Sequence, residues 1–210
     1  MKIAVFVSGR GSNLQAIINS DELRNLIEIK AVFSDKIDCP AFEIARSHSI
    51  PTYAIGSPQS EHPPRAISKG QISYNELSDL LIQFNVELIV LAGFLKLIPG
   101  YIINRYKFRI INIHPALLPS FGGKGMYGLN VHKAVFDSSV KVSGTTVHFV
   151  DETFDTGKII AQRCVDISEV ASPEEIAEKV LKLEHEILPF VIRKFAEGKI
   201  TVVGSRVIVV

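Results

Sequence analysis

Cysteine is scarce in this chain of 210 residues. Cys39 and Cys164 stand far apart, with no Cys-x-x-Cys pair and no Cys/His cluster, which argues against a disulfide framework and against a zinc site. An excess of one charge sign is also missing: 23 Lys and Arg stand against 22 Asp and Glu, a formal net charge of +1. Nucleic-acid binders and membrane-surface proteins usually carry a larger or more segregated positive charge, so neither partner is expected. An anionic small molecule would have to be attracted by local backbone and side-chain groups. The opening residues, MKIAVFV, run straight into glycines, so neither a signal-peptide core nor a membrane span is expected. A reduced, cytoplasmic setting is the simplest expectation, for a monomer or a homodimer.

What is present is a core. Hydrophobic residues make up 47% and charged residues 21%, ordinary values for a globular chain, and the length suits one domain over residues 1–210. Residues 2–7 form a short, almost wholly apolar run ending at Ser8-Gly9, the pattern of a strand buried on both faces of a parallel sheet. A helix over 14–19, a strand over 27–33, a helix over 41–48 and a strand over 52–55 follow. Then come a helix over 73–85, a strand over 88–92, a further helical stretch and a strand over 110–113. Short apolar strands alternating with helices predict an α/β, doubly wound, mostly parallel sheet.

Beyond residue 114 the pattern changes. Strands over 142–150 and 158–165, only a loop apart, imply an antiparallel addition to the sheet. Ser172-Pro173-Glu174-Glu175 reads as a helix start, with Ser as cap, Pro in the first turn and acids facing the positive end of the dipole. This helix runs towards Gly198, with a bend expected at Pro189. Residues 201–210 read as a strand or hairpin.

Three groups of residues suit chemistry. Ser8-Gly9-Arg10-Gly11-Ser12-Asn13 lies between a strand and a helix, where closely spaced glycines expose amides that favour an anion. It equally suits a tight turn with Ser12 or Asn13 as the helix cap. Neither the dinucleotide fingerprint, which wants glycine where Leu14 stands, nor the P-loop is matched. Asn112 and His114 share one face of a strand at its carboxyl end, where α/β enzymes place ligands. Asp155, before Gly157, is either a turn former or the carboxylate that orients His114. His148 reads as structural, on a strand face with Thr146.

Together these pieces resemble the glycinamide ribonucleotide formyltransferases. The resemblance is carried by SGRGSNLQAII at 8–18, LAGFLKLI at 91–98, INIHPALLPSF at 111–121, GTTVHFVDETFDTGKIIAQ at 144–162 and EHEILP at 184–189. It implies a formyltransferase-like Rossmann variant. In it the amine of a phosphorylated ribosyl substrate attacks the formyl carbon of 10-formyltetrahydrofolate directly, without a metal. By the same resemblance Asn112 donates to the oxyanion, while His114, as imidazolium, supports it and Asp155 raises the His114 pKa. Gly11, Ser12 and Asn13 cradle the phosphate, with Gly93 and Glu184 as further substrate contacts. Leu95, Lys96, Leu97 and Ile98 wall the pterin with Asp151, Glu152, Thr153, Phe154 and Asp155, and Asn112 also touches the folate.

The chain departs from the family pattern at two places. Gln71 stands where a folate-contacting arginine is common, leaving Arg65 or Lys69 to substitute. Residues 122–128, GGKGMYG, form a longer and more glycine-rich loop, read either as a lid or as a plain surface loop. Glu184 lies within a helical stripe of Ile176, Val180, Ile187 and Val191, so it needs a donor or an opening in the packing. An internal salt bridge is the bland alternative to substrate contact. Three rival readings stay open: a formyltransferase or formyl-folate hydrolase with another acceptor, a nucleotide-binding oxidoreductase using Asp35, and a non-catalytic ligand-binding module. The hydrolases and other formyltransferases typically carry an additional domain, for which 210 residues leave no room.

Overall fold

A computed structural model of the chain describes residues 1–56 and 68–210. Its main sheet has eight strands in the order β4-β3-β2-β1-β5-β6-β7-β8. These are β1 (Lys2–Val7), β2 (Glu28–Ser34), β3 (Thr52–Ile55), β4 (Gln71–Ile72), β5 (Leu88–Leu91), β6 (Ile110–His114), β7 (Val142–Phe149) and β8 (Ile159–Asp166). Neighbours from β4 through β6 run parallel, while β7 and β8 are antiparallel to their neighbours. The expected α/β sheet with an antiparallel addition is what forms.

Period-two alternation explains why β1 is apolar throughout. Ile3, Val5 and Val7 join one core, and Ala4 and Phe6 point into a second on the other face. The first core is covered by α1 (Ser12–Ile18), α2 (Ala41–Ser47) and α6 (Pro173–Ala196), through Leu14, Ile17, Phe42, Leu188 and Ile192. The second is covered by α3 (Tyr74–Gln83) and α4 (Gly100–Arg105), through Leu77, Leu81 and Ile102. Each large aliphatic side chain fully buried in this way contributes about 1.5–3 kcal/mol.

Ser172 caps α6 by accepting from the Glu175 backbone N–H, and the helix continues through the buried Pro189 to Ala196. Proline removes one N–H there, yet packing against the first core keeps the helix whole. The chain's last strands pair as a hairpin, β9 (Ile200–Val203) with β10 (Arg206–Val209). Two elements had no reading in the sequence: β4, only two residues long, and α5 (Leu129–Asp137). The cap of α1 differs from expectation. Neither Ser12 nor Asn13 caps it, since Gly11 takes that position in a left-handed conformation, φ 82°, with no side-chain cap. Among the described residues no helix is long and apolar enough to cross a membrane.

Candidate active site

Strand β1 pairs with β2 on one side and β5 on the other, so the order of the parallel strands reverses there. Open α/β sheets form a crevice at the carboxyl ends of strands flanking such a reversal. A cavity of about 1050 Å³ lies here, lined by Arg10 and Asn13 after β1, residues 93–100 after β5, and Asn112 and His114 on β6. The loop residues 123–128, the β7–β8 loop from Glu152 to Asp155, and Ala177, Glu178, Leu181 and Glu184 of α6 complete its wall.

Three side chains meet inside it. The Nδ1 of His114 lies 3.6 Å from Asp155 Oδ2, and Asn112 Nδ2 lies 3.5 Å from Asp155 Oδ1. His114 Nε2 donates to the Phe121 carbonyl at 2.9 Å. A carbonyl only accepts, so the neutral ring carries its hydrogen on Nε2 and turns the Nδ1 lone pair towards Asp155. Asp155 Oδ2 in turn accepts from the Gly123 backbone N–H at 2.9 Å. Asp155 itself has φ 58°, a left-handed conformation that aspartate tolerates better than most residues.

A fourth group belongs to this cluster. His148 was expected to be structural, but it faces Asn112 directly across the β6–β7 ladder. Its Nδ1 bonds the Phe149 carbonyl at 2.7 Å, which leaves Nε2 to accept from Asn112 Nδ2 at 3.1 Å. His148 thereby holds the Asn112 amide with its second N–H free of any short bond. Nε2 of His148 also lies 3.6 Å from Asp155 Oδ1.

Burial is the dominant influence on His114 and holds its pKa below the ordinary histidine range, against the pull of Asp155 towards the charged form. Asp155 acts on this pKa in the direction expected, and desolvation outweighs it. Burial thus biases the resting imidazole towards its neutral form. For Asp155 burial opposes ionisation, yet the proximity of His148 and His114 and the Gly123 N–H hold its pKa below the ordinary value. His132 of α5 is buried and within electrostatic reach of His114, with no hydrogen-bond partner on Nδ1 among the described residues, and desolvation depresses its pKa to about 4.

Glu184 is 91% buried and faces the cavity from α6. Its partner is the Asn13 side-chain amide, Nδ2 to Oε2 at 2.6 Å, so the internal salt bridge does not form. Burial raises its pKa to about 7, with the Asn13 bond pulling the other way. The folded state thus binds this proton more tightly than the unfolded chain. Stability present below the unfolded carboxyl pKa is lost as pH rises from about 4.5 to about 7. Glu184→Gln keeps an acceptor for Asn13 and removes the titration. Its melting temperature is expected to match the parent near pH 5 and to exceed it at pH 8, by up to about 3 kcal/mol of stability. Thermal melts at the two pH values check this, and an equal difference at both would remove ionisation from the account.

Of the residues expected in the site, the cavity brings together Asn13, Gly93, Leu95, Lys96, Leu97, Ile98, Asn112, His114, Glu152, Thr153, Phe154, Asp155 and Glu184. Gly11, Ser12 and Asp151 do not line it. Gly11 answers to packing, because a Cβ there would stand 2.6 Å from the Ala41 Cβ. Asp151 folds the β7–β8 loop, accepting from the Thr153 backbone N–H at 3.1 Å and the Thr156 hydroxyl at 2.7 Å. Gln71 lies in β4, donating to the Ile55 carbonyl at 3.2 Å, and neither it nor the exposed Lys69 lines the cavity. Arg65 lies outside the described residues. Lining residues that the sequence reading missed are Arg10, Phe94, His132, Glu178 and Leu181. Among the described residues no group of three or more His, Cys, Asp and Glu is arranged to hold a metal ion.

An amide donor, a neutral imidazole and an ionised carboxylate, converging in a crevice beside a glycine-rich turn, are the equipment of an acyl-transfer site. The chain belongs to the formyl transferase family, whose model matches residues 1–192. It is 44% identical over 201 residues to a phosphoribosylglycinamide formyltransferase, chloroplastic, of Arabidopsis thaliana, covering 95% of this chain and 66% of that relative. The chain thus spans just under two thirds of that protein's length. A phosphoribosylglycinamide formyltransferase of Bacillus subtilis is 39% identical, covering 92% of this chain and 93% of its own. The crystal structure of a phosphoribosylglycinamide formyltransferase from Anaplasma phagocytophilum superposes with a TM-score of 0.85 at 30% identity, covering 100% of this chain and 94% of that one. The oxidoreductase reading is not favoured by these likenesses, and Asp35, its needed acid, is engaged by the Ser8 hydroxyl at 2.6 Å. The plant relative's name places it in a chloroplast, so family membership does not fix a compartment.

Proposed function

We propose that this chain transfers the formyl group of 10-formyltetrahydrofolate to the amine of 5′-phosphoribosylglycinamide, a step of de novo purine synthesis, and that residues 1–210 act as one domain in doing so. The observation that carries this reading is the convergence of Asn112, His114 and Asp155 in a cleft large enough for two substrates, about 1050 Å³. The folate lies against Leu95, Lys96, Leu97, Ile98, Glu152, Thr153 and Phe154. The ribonucleotide lies towards Asn13, Gly93 and Glu184, with its phosphate at the end of the crevice where the β1–α1 turn opens.

The acceptor's amine lone pair attacks the formyl carbon, and the carbonyl π electrons move onto oxygen. Asn112 donates its second N–H to that oxygen, where charge develops in a buried site and each hydrogen bond counts for more than in water. The Nδ1 lone pair of His114 is placed to take up a proton as the attacking nitrogen becomes cationic. Asp155 stabilises the imidazolium so formed. The proton then passes to the folate nitrogen as its bond to the formyl carbon breaks, and the amide product and tetrahydrofolate separate. Atoms and charge balance without a metal ion or a nucleoside triphosphate.

The test is direct. Purified protein with both substrates, and with no ATP, is expected to form the formylated amide and tetrahydrofolate in equal amounts, and to continue after exhaustive chelation. Release of free formate without amide would make the chain a hydrolase. Loss of activity on chelation, restored by added metal, would overturn the metal-free steps.

A further inference from the structure

Among the described residues the cavity is lined by three cationic side chains, Arg10, Lys96 and Lys124. Lys96 belongs to the stretch that walls the folate end, and Lys124 rides on the glycine-rich loop. Arg10 alone is carried by the turn between β1 and α1, next to the end where Asn13 and Glu184 meet. The α6 face opposite that turn offers Ala177, Glu178, Leu181 and Glu184, hence two acids and no cation. An anion entering this end meets carboxylate repulsion unless Arg10 offsets it.

Arg10 is exposed and has no hydrogen-bond or ion-pair partner among the described residues. A guanidinium with five donors and no protein acceptor is free to take a multi-oxygen anion in its fork. Its position is set by the backbone that follows. Gly11 has φ 82°, and a Cβ there would stand 2.6 Å from the Ala41 Cβ, so the turn that carries Arg10 requires glycine at its next position. The same sequence reading that assigned Gly11, Ser12 and Asn13 left Arg10 out.

We propose that Arg10 is the side chain by which this enzyme distinguishes a phosphorylated acceptor from its dephosphorylated counterpart, its guanidinium closing on the phosphate from the cavity side. This rests on the acceptor assignment above. Backbone amides bind a phosphate through fixed geometry, and Arg10 adds a mobile positive charge that the α6 wall withholds.

The experiment compares Arg10→Ala and Arg10→Lys with the parent, using phosphorylated and dephosphorylated acceptor, each against saturating formyl-folate. Arg10→Ala is expected to lower kcat/KM for the phosphorylated acceptor about 10- to 100-fold, mostly through KM, the scale of losing a charge-assisted hydrogen bond. The dephosphorylated acceptor's kcat/KM and the folate KM should change less than about twofold, and Arg10→Lys should recover part of the loss. An equal loss with both acceptors would make Arg10 a support of the turn. A raised folate KM would assign it to the folate's carboxylates. Unchanged kinetics with a parent that still prefers the phosphorylated acceptor would overturn the role of Arg10 alone. A parent indifferent to the phosphate would overturn the acceptor assignment with it.

Discussion

Asn112→Ala is expected to lower turnover by ~100- to 1000-fold with both substrates saturating, the scale of removing one preorganised oxyanion donor. The amide is not free to be replaced by water. His148 accepts one of its N–H groups at 3.1 Å, which fixes the orientation of the amide, and the 3.5 Å separation of the nitrogen from Asp155 Oδ1 is too long to hold the second N–H away from an oxyanion. Alanine removes that donor and leaves His148 Nε2 without its partner, a change worth about 1–3 kcal/mol of stability. Melting should therefore shift by several degrees while the protein stays folded at assay temperature. Single-turnover kinetics on pre-bound substrates measure the chemical step. Near-parental turnover in the alanine variant would show that the oxygen is stabilised elsewhere.

Asp155→Asn is expected to cut turnover by ~100-fold or more, in the range for losing an acid–base partner, and to move the pH profile. Asparagine accepts the left-handed backbone at φ 58° and offers an oxygen to the Gly123 N–H, so the fold is kept. What changes is charge. Burial already holds His114 below the ordinary histidine pKa, and Asp155 is the group pulling it back up. Without that carboxylate the imidazole pKa falls further, so the acidic limb of kcat/KM should shift to lower pH. Stability follows the opposite logic. The native pKa of Asp155 is depressed, so its contribution is present above the unfolded carboxyl pKa and is lost as pH falls through the native value. The variant's stability deficit at neutral pH should therefore shrink in acid. An acidic limb left in place beside a stability loss would mark Asp155 as a structural residue only.

Much of this arrangement was legible in the sequence where the signal is local. Strand β1 is apolar on both faces because both faces are covered, and a six-residue run carries that information by itself. Asn112 and His114 share a face because a strand repeats every two residues, and Ser172-Pro173 marks a helix start through its own caps. The misses are non-local or too short. His148 enters the site only because β7 pairs antiparallel with β6 in the register that sets it against Asn112. Identifying the two strands did not supply that register. The lowered pKa of His114 depends on how deeply it is buried, which no spacing reports. Strand β4 spans two residues, and α5 follows a glycine-rich stretch that hides its start. The cap of α1 failed as a reading because the packing of Gly11 on Ala41 decided it, not the side chains of Ser12 and Asn13.

The antiparallel pairing of β6 and β7 gives this enzyme a division of labour. Asn112, His114 and His148 sit on two rungs of one ladder, and Asp155 follows on the loop that β7 begins. A helix furnishes another wall of the crevice, through Ala177, Glu178, Leu181 and Glu184. The polar cluster and this helical wall thus come from separate stretches of the chain. Substitutions at 177, 178 and 181 would reshape one wall of the crevice while leaving the β6–β7 rungs in register.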